Sequence, residues 1–289
     1  MALVKQAIGA IEDPSAKLLL QCQLGHFQLS ANERKQAKET LEEVETVIKK
    51  QIRVPPPELL AQYHLACAEL WKASNEVGKF YRNAMSYLGY AKDVTNQEAW
   101  ANDIALAALA DKSFYDFGEL SLHPIMDSLT NSPRAWVLHV VQAFIRGELE
   151  HFNSVIQKYE KEIHSDEMLK NYTKVMNEKI RLLALVRLAF YKNSMERVLS
   201  FKEISVVADT DIAKVVFFCC VEQLVMRGMS VGLLKGIVDG IDETVTVTFV
   251  KPRILDRDEI AAMHKRSEQW VAKIEAVAAQ LKPAIETLS

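Results

Sequence analysis

The sequence predicts a mainly α-helical protein, a loose array of helix pairs that runs into a winged helix and ends in one long helix. Three observations carry that reading. Before residue 190 the apolar residues recur at helical spacing between turn signals, and no strand pattern exceeds a few residues. From Leu199 to Leu255 this spacing gives way to two β-branched runs, in the order a winged helix requires. Beyond Leu255 the apolar residues advance in steps of three and four.

With 289 residues, 49% of them apolar, the chain can bury a large core in more than one structural unit. No uninterrupted apolar run exceeds the seven residues of Val215 to Val221, far below the roughly 20 needed to cross a bilayer. The stretch Met1-Ala2-Leu3-Val4-Lys5 continues directly into helical pattern and lacks the parts of a signal peptide, so nothing in it directs the chain out of the cytosol. The four cysteines, Cys22, Cys67, Cys219 and Cys220, fit neither a disulfide framework nor a C-x-x-C pair and read as reduced core thiols. A net charge of −3 argues against a dominant polyanion-binding role.

The array occupies residues 1–164. Its helix pairs run approximately from Ser15 to Lys50, Glu58 to Tyr90, Gln97 to Leu129 and Ser132 to His164, a loose period in the mid-thirties. Pro55-Pro56-Pro57 forces an extended break between the first two pairs, and Asn96 and Ser132 stand where caps of the later ones belong. Within Phe80 to Leu88, large residues surround the small Ala84 as in the second helix of a tetratricopeptide (TPR) unit. A degenerate TPR-like solenoid is the reading; an irregular helical domain is the alternative.

Residues 165–255 form the second part. Asp166 to Tyr191 is one long amphipathic segment with Leu169, Tyr172, Met176, Ile180, Leu183 and Phe190 on a shared face. Leu199, Phe201, Ile204 and Val207 then repeat at helical spacing, Asp209-Thr210-Asp211 offers oxygens to cap the next helix, and that helix spans about Ile212 to Gly228. Leu233 to Val238 and Thr244 to Val250 read as a hairpin, with Asp239-Gly240 supplying residues that tolerate positive φ. Val245, Val247 and Phe249 make one face of the second strand apolar, while Thr244, Thr246 and Thr248 make the other hydroxylated and free. Pro252 ends that strand. Leu199 to Leu255 holds six cations against seven anions, whereas a winged helix that reads DNA must neutralise several phosphates. This one is built to touch protein, and the strand at Thr246 and Thr248, with Lys251 beyond, is expected to offer an edge to another winged helix.

Residues 256–289 form the terminal helix, opened by Asp256 and Asp258 where carboxylates suit the positive end of the helix dipole. Ile260, Met263, Trp270, Ile274, Val277 and Leu281 make a heptad seam interrupted only by Ser267. A seam this regular favours a bundle with other helices; docking onto the chain's own array is the alternative.

This combination resembles the PCI-domain subunits shared by the proteasome lid, the signalosome and a translation initiation complex, and three segments narrow it. Phe117-Gly118-Glu119-Leu120-Ser121-Leu122-His123-Pro124-Ile125-Met126-Asp127-Ser128-Leu129 resembles the F-G-E-L-x-x-H-P-[VI]-x-x-S-L segment of the family of 26S proteasome non-ATPase regulatory subunit 13. Leu224-Val225-Met226-Arg227-Gly228-Met229-Ser230-Val231-Gly232-Leu233-Leu234-Lys235-Gly236 is similar to that family's L-V-M-[KR]-x-[LM]-S-V-G-L-[VLI]-K-G, and Pro252-Arg253-Ile254-Leu255-Asp256 to its P-R-[VI]-L-D. The resemblance implies a non-catalytic scaffold of the regulatory-particle lid, cytoplasmic and nuclear, working as part of a hetero-oligomer without a cofactor. Its implied partners are a neighbouring PCI subunit at the winged helix and several lid subunits at the terminal helix, with no nucleic acid and no membrane. It would help position the deubiquitinating and ubiquitin-receptor subunits. Members of the family carry further residues before the region matching Met1, so the chain is expected to begin inside the solenoid. The helix around Phe217-Phe218-Cys219-Cys220 is longer than the family's or interrupted there. A signalosome or initiation-complex subunit is the alternative within the same fold, and a nucleic-acid-binding winged helix the alternative outside it.

Catalytic patterns fail on context. Gly228-Met229-Ser230-Val231-Gly232 matches G-x-S-x-G, but a nucleophile elbow needs a strand before the serine and a helix after it, the reverse of the order here. Glu148 and His151 have the spacing of a carboxylate-bridged metal site but lack a second copy, and His123 precedes Pro124 as a structural loop end without a paired acid. No Walker glycine loop is present. No catalytic, cofactor or metal residues are expected; the expected site residues are the interface positions Thr246, Thr248, Lys251, Ile260, Met263, Trp270, Ile274, Val277 and Leu281.

Overall fold

Asp13 opens the first described helix pair by accepting from the backbone N–H groups of Ser15 and Ala16, with Pro14 at the first helical position. The computed structural model describes residues 4, 8–11, 13–50, 55–91, 93–165, 167–192, 197–209, 221–251 and 257–286. They divide into two compact units, Met1–Lys251 and Pro252–Ser289.

Helices α1 (Pro14–Ser30) and α2 (Arg34–Lys50) form the first pair, and α3 (Pro57–Ala73) and α4 (Val77–Tyr90) the second. Both pairs turn the same corner. Asn32 and Asn75 adopt the left-handed conformation at φ 62° and 57°, and the next residue, Glu33 or Glu76, donates its N–H back into the preceding helix at 2.8 and 3.0 Å. This repeated Asn-Glu corner is the clearest sign of a helical repeat. Between the pairs Pro56 is extended and Pro57 starts α3, the break expected there.

The third pair is unequal, since α5 (Gln97–Ala110) is followed by a short α6 (Phe117–Leu122) and a 3₁₀ turn at Pro124–Leu129. His123 caps that turn, its Nδ1 accepting from the Ile125 N–H at 3.3 Å, which is the structural role expected of it. Helices α7 (Ala135–Arg146), α8 (Leu149–Lys158) and α9 (Glu160–Ser165) complete the array. Of the two expected caps, Asn96 holds its position and Ser132 does not. Asn96 takes the N-cap position in the left-handed conformation without a side-chain bond, and Ser132 accepts from Arg134 N–H in a turn ahead of α7. Cys22 and Cys67 are buried free thiols, pushed up by burial to about 12 and about 11, so both stay protonated and unreactive. Cys219 and Cys220 lie outside the described residues.

Helix α10 (Glu167–Tyr191) joins array to winged helix by burying two faces. Met176, Ile180 and Leu183 pack into the array core, and Leu185 and Ala189 into the next. At the α7–α8 turn Gly147 has φ +64°, and a Cβ there would come within 3.0 Å of the Leu183 carbonyl, so glycine sets how closely this turn approaches α10.

Strand β1 (Val198–Ser200), α11 (Phe201–Ala208), α12 (Val221–Ser230), β2 (Leu234–Asp239) and β3 (Thr244–Val250) follow, with antiparallel sheet order β1-β3-β2. Leu199 belongs to a strand, not to the helix its spacing suggested. Ser200 and Glu203 form a reciprocal capping box that starts α11 at Phe201, and Val207 is exposed while Phe201 and Ile204 are buried. The hairpin turn also differs from expectation. Asp239 accepts from the N–H groups of Ile241 and Asp242, and the positive φ falls on Glu243 instead of Gly240. The described part of the helix expected from Ile212 begins at Val221; the proposed cap at Asp209-Thr210-Asp211 and the strand end at Pro252 fall on or against residues outside the described set.

Candidate functional site

Sheet register brings three exposed side chains into one row. Val198 of β1 lies opposite Thr246 of β3, which lies opposite Ile237 of β2, with Val198 44% and Ile237 69% exposed. Period-two alternation places Leu199, Val245 and Val247 on the opposite, buried face. The open face is therefore more apolar than its threonines suggested.

Phe249 joins it, against expectation. Lys235 pairs with Phe249 but Gly236 with Val247, so Thr248 is the extra residue of a β-bulge. The bulge carries Phe249 to the surface, where the Lys235 ammonium lies 5.5 Å from its ring centroid. Any Cβ at Gly236 would collide with the Thr246 carbonyl oxygen, so the close approach requires glycine. Thr248 donates its hydroxyl to the Lys235 carbonyl at 3.1 Å.

The expected edge is corrected by the sheet order. β3 is the central strand, its backbone paired to β1 across Thr244–Thr246 and to β2 along its length, so Thr246 stands on a face and the sheet's two outer edges belong to β1 and β2. Lys251 is engaged within the chain, its ammonium 2.9 Å from Asp116 in the array. In helix α13 (Arg257–Glu286), taken by itself, Ile260, Met263, Trp270, Ile274 and Val277 are all exposed, Trp270 at 55%. Leu281 lies outside the described side chains.

A buried lysine escaped the sequence reading. Lys179 is 1% exposed and donates to the carbonyls of Ala108 at 2.7 Å, Asp111 at 2.8 Å and Leu109 at 3.4 Å, closing the C-terminal end of α5. The ring of Phe117 lies 4.8 Å away. Burial lowers its pKa to about 7, with Asp111 opposing. Its signal was its place at the helical spacing of Met176, Ile180 and Leu183.

Ser230 ends α12 and donates to the Arg227 carbonyl at 2.8 Å, with a strand following, so the G-x-S-x-G string has no elbow geometry. Glu148 pairs with Arg187 at 2.7 Å. Among the described residues no group of three or more His, Cys, Asp or Glu is placed to hold a metal, and no helix is long and apolar enough to cross a membrane.

Residues 3–141 match the family described as PSD13 N-terminal repeats, which covers the array from α1 into α7. The chain is 28% identical over 259 residues to the 26S proteasome non-ATPase regulatory subunit 13 homolog B of Arabidopsis thaliana, covering 88% of this chain and 65% of that protein. It is 30% identical over 271 residues to the 26S proteasome regulatory subunit RPN9 of Saccharomyces cerevisiae, covering 92% of this chain and 66% of that one. The chain belongs to the subunit 13 family. A third member, the 26S proteasome non-ATPase regulatory subunit 13 of Dictyostelium discoideum, is 29% identical over 217 residues, 74% of this chain and 55% of its own length. The chain thus spans about two thirds or less of the length of these curated relatives. In the subunit 13 family the matched repeats are the array, and the alignments with the plant and yeast members extend well past it toward the sheet and terminal helix.

Proposed function

We propose that the chain is a non-catalytic scaffold subunit of the regulatory-particle lid of the 26S proteasome, acting in lid assembly and so in ubiquitin-dependent degradation in cytoplasm and nucleus. The observation that carries this reading is the open sheet face: Val198, Thr246, Ile237 and Phe249 offer an apolar surface on a chain whose relatives are named as proteasome regulatory subunits. Exposed apolar surface of this kind suits a permanent protein partner. The neighbour at this face is taken to be another PCI subunit, and the seam of α13 is taken to enter a bundle with helices of several lid subunits. No nucleic acid, membrane or cofactor enters the scheme.

The test is copurification of the tagged protein. Recovery with stoichiometric lid subunits supports the reading; recovery alone, or chiefly with signalosome or initiation-complex subunits, rejects it. Ile237→Lys places a charge on the open face at a side chain that packs on little of its own chain. It should leave thermal unfolding unchanged and reduce lid incorporation, and normal incorporation would remove the sheet face from the interface.

A further inference from the structure

The α7–α8 turn, Arg187 of α10 and the end of α11 line an open cleft of about 720 Å³ within the first unit. Leu149, Val206 and Val207 give it an apolar strip, and Val206 is 81% exposed. Glu148, Glu150 and Asp209 line its rim. The lining residue Arg187 is held by Glu148 at 2.7 Å, whereas Glu150 and Asp209 have no cationic partner among the described residues. The cleft is thus both apolar and acidic. Its volume falls in the range of binding pockets, roughly 300–1,000 Å³, and its carboxylates would repel a phosphate or an acidic peptide at short range.

We propose that this cleft docks a segment of a partner protein in which an aliphatic side chain is flanked by lysine or arginine. The aliphatic group would fill the strip between Leu149 and Val206, and the flanking cations would meet Glu150 and Asp209. The cleft is walled on one side by the array and on the other by the winged helix, so an occupant would clamp the two together across α10. This site is separate from the sheet face and the terminal helix, and the inference stands or falls on the isolated chain, independently of lid membership.

The experiment is fluorescence anisotropy of the full chain with a short labelled peptide alternating leucine with lysine, beside a counterpart alternating leucine with glutamate. The lysine peptide should bind, with affinity falling as salt rises. Glu150→Lys combined with Asp209→Asn should weaken it by about tenfold while circular dichroism stays native, an effect of about 1.4 kcal/mol. Asparagine is chosen at position 209 because the backbone there has φ +46°. Val206→Ser should weaken the salt-independent part and leave the salt dependence unchanged. Equal binding by wild type and double variant would place the peptide elsewhere, on the α13 seam for example, and overturn the assignment. So would equal binding of the glutamate peptide, or no binding of the lysine peptide at all.

Discussion

Helices α10 and α13, of 25 and 30 residues, both carry an apolar stripe, yet they are finished in opposite ways. The stripe of α10 is covered on two faces by the chain itself, so completely that even Lys179 is enclosed and must find three carbonyl acceptors. The stripe of α13, by itself, is surface. Where a chain supplies its own cover, a stripe tolerates irregular spacing and a buried lysine, because neighbouring helix ends can be fitted to it. A strict heptad such as that of α13 lets a second helix pack at every turn.

The sharpest break in that comparison pairs Phe144→Ala with Trp270→Ala. Phe144 is buried between Phe117 and Phe152, with ring centroids at 4.9 and 5.3 Å, and its truncation should cost about 3–5 kcal/mol by denaturant unfolding. Trp270→Ala should change the same measurement by less than about 0.5 kcal/mol. Comparable losses from the two would mean that α13 is covered by its own chain.

Lys179 gives the next largest effect. Lys179→Ala leaves the Ala108 and Asp111 carbonyls without their donor and opens a void, a loss of about 2–3 kcal/mol. The pH dependence has a definite sign. Below about pH 7 both folded and unfolded chains hold the proton; between there and the ordinary lysine value of 10.5 the unfolded chain holds a proton that the native state has shed. Stability contributed by this site therefore climbs as pH rises through that window and levels off above it, by a few kcal/mol at most. Lys179→Met should flatten the climb, seen by comparing denaturant midpoints of the two proteins from pH 6.5 to 10. An unchanged slope would show that Lys179 keeps its proton in the fold.

Much of this was legible in the sequence because periodicity reports what a face meets. The helix pairs, the hairpin and the α10 stripe through Met176, Ile180 and Leu183 follow from spacing alone. What stayed hidden depends on backbone detail. A three-residue β1 is too short to alternate, so Leu199 read as helix and β3 read as an edge when β1 in fact covers it. The bulge at Thr248 turns Phe249 outward through one unpaired residue, a change no period-two pattern contains. Lys179 sat in plain view on the apolar stripe, but a lysine is enclosed only when carbonyl ends converge on it, and that convergence comes from α5, some seventy residues away in sequence.

The smallest expected effect on stability accompanies the largest on assembly. A chain ending at Asp256 loses α13 whole. If its seam packs on other helices, the six large apolar groups from Ile260 to Leu281 would contribute on the order of 10 kcal/mol to the bundle before ordering costs, at about 1.5–3 kcal/mol each. None of that stabilises the first unit, whose denaturant midpoint should stay within error of the full chain while lid incorporation is lost. A helix of this length with an uncovered seam is also sticky, so the truncated protein should be the more soluble of the two at high concentration, measured by light scattering. The opposite pattern, a destabilised body that still enters the lid, would assign the seam to the chain's own array and make α13 a second α10.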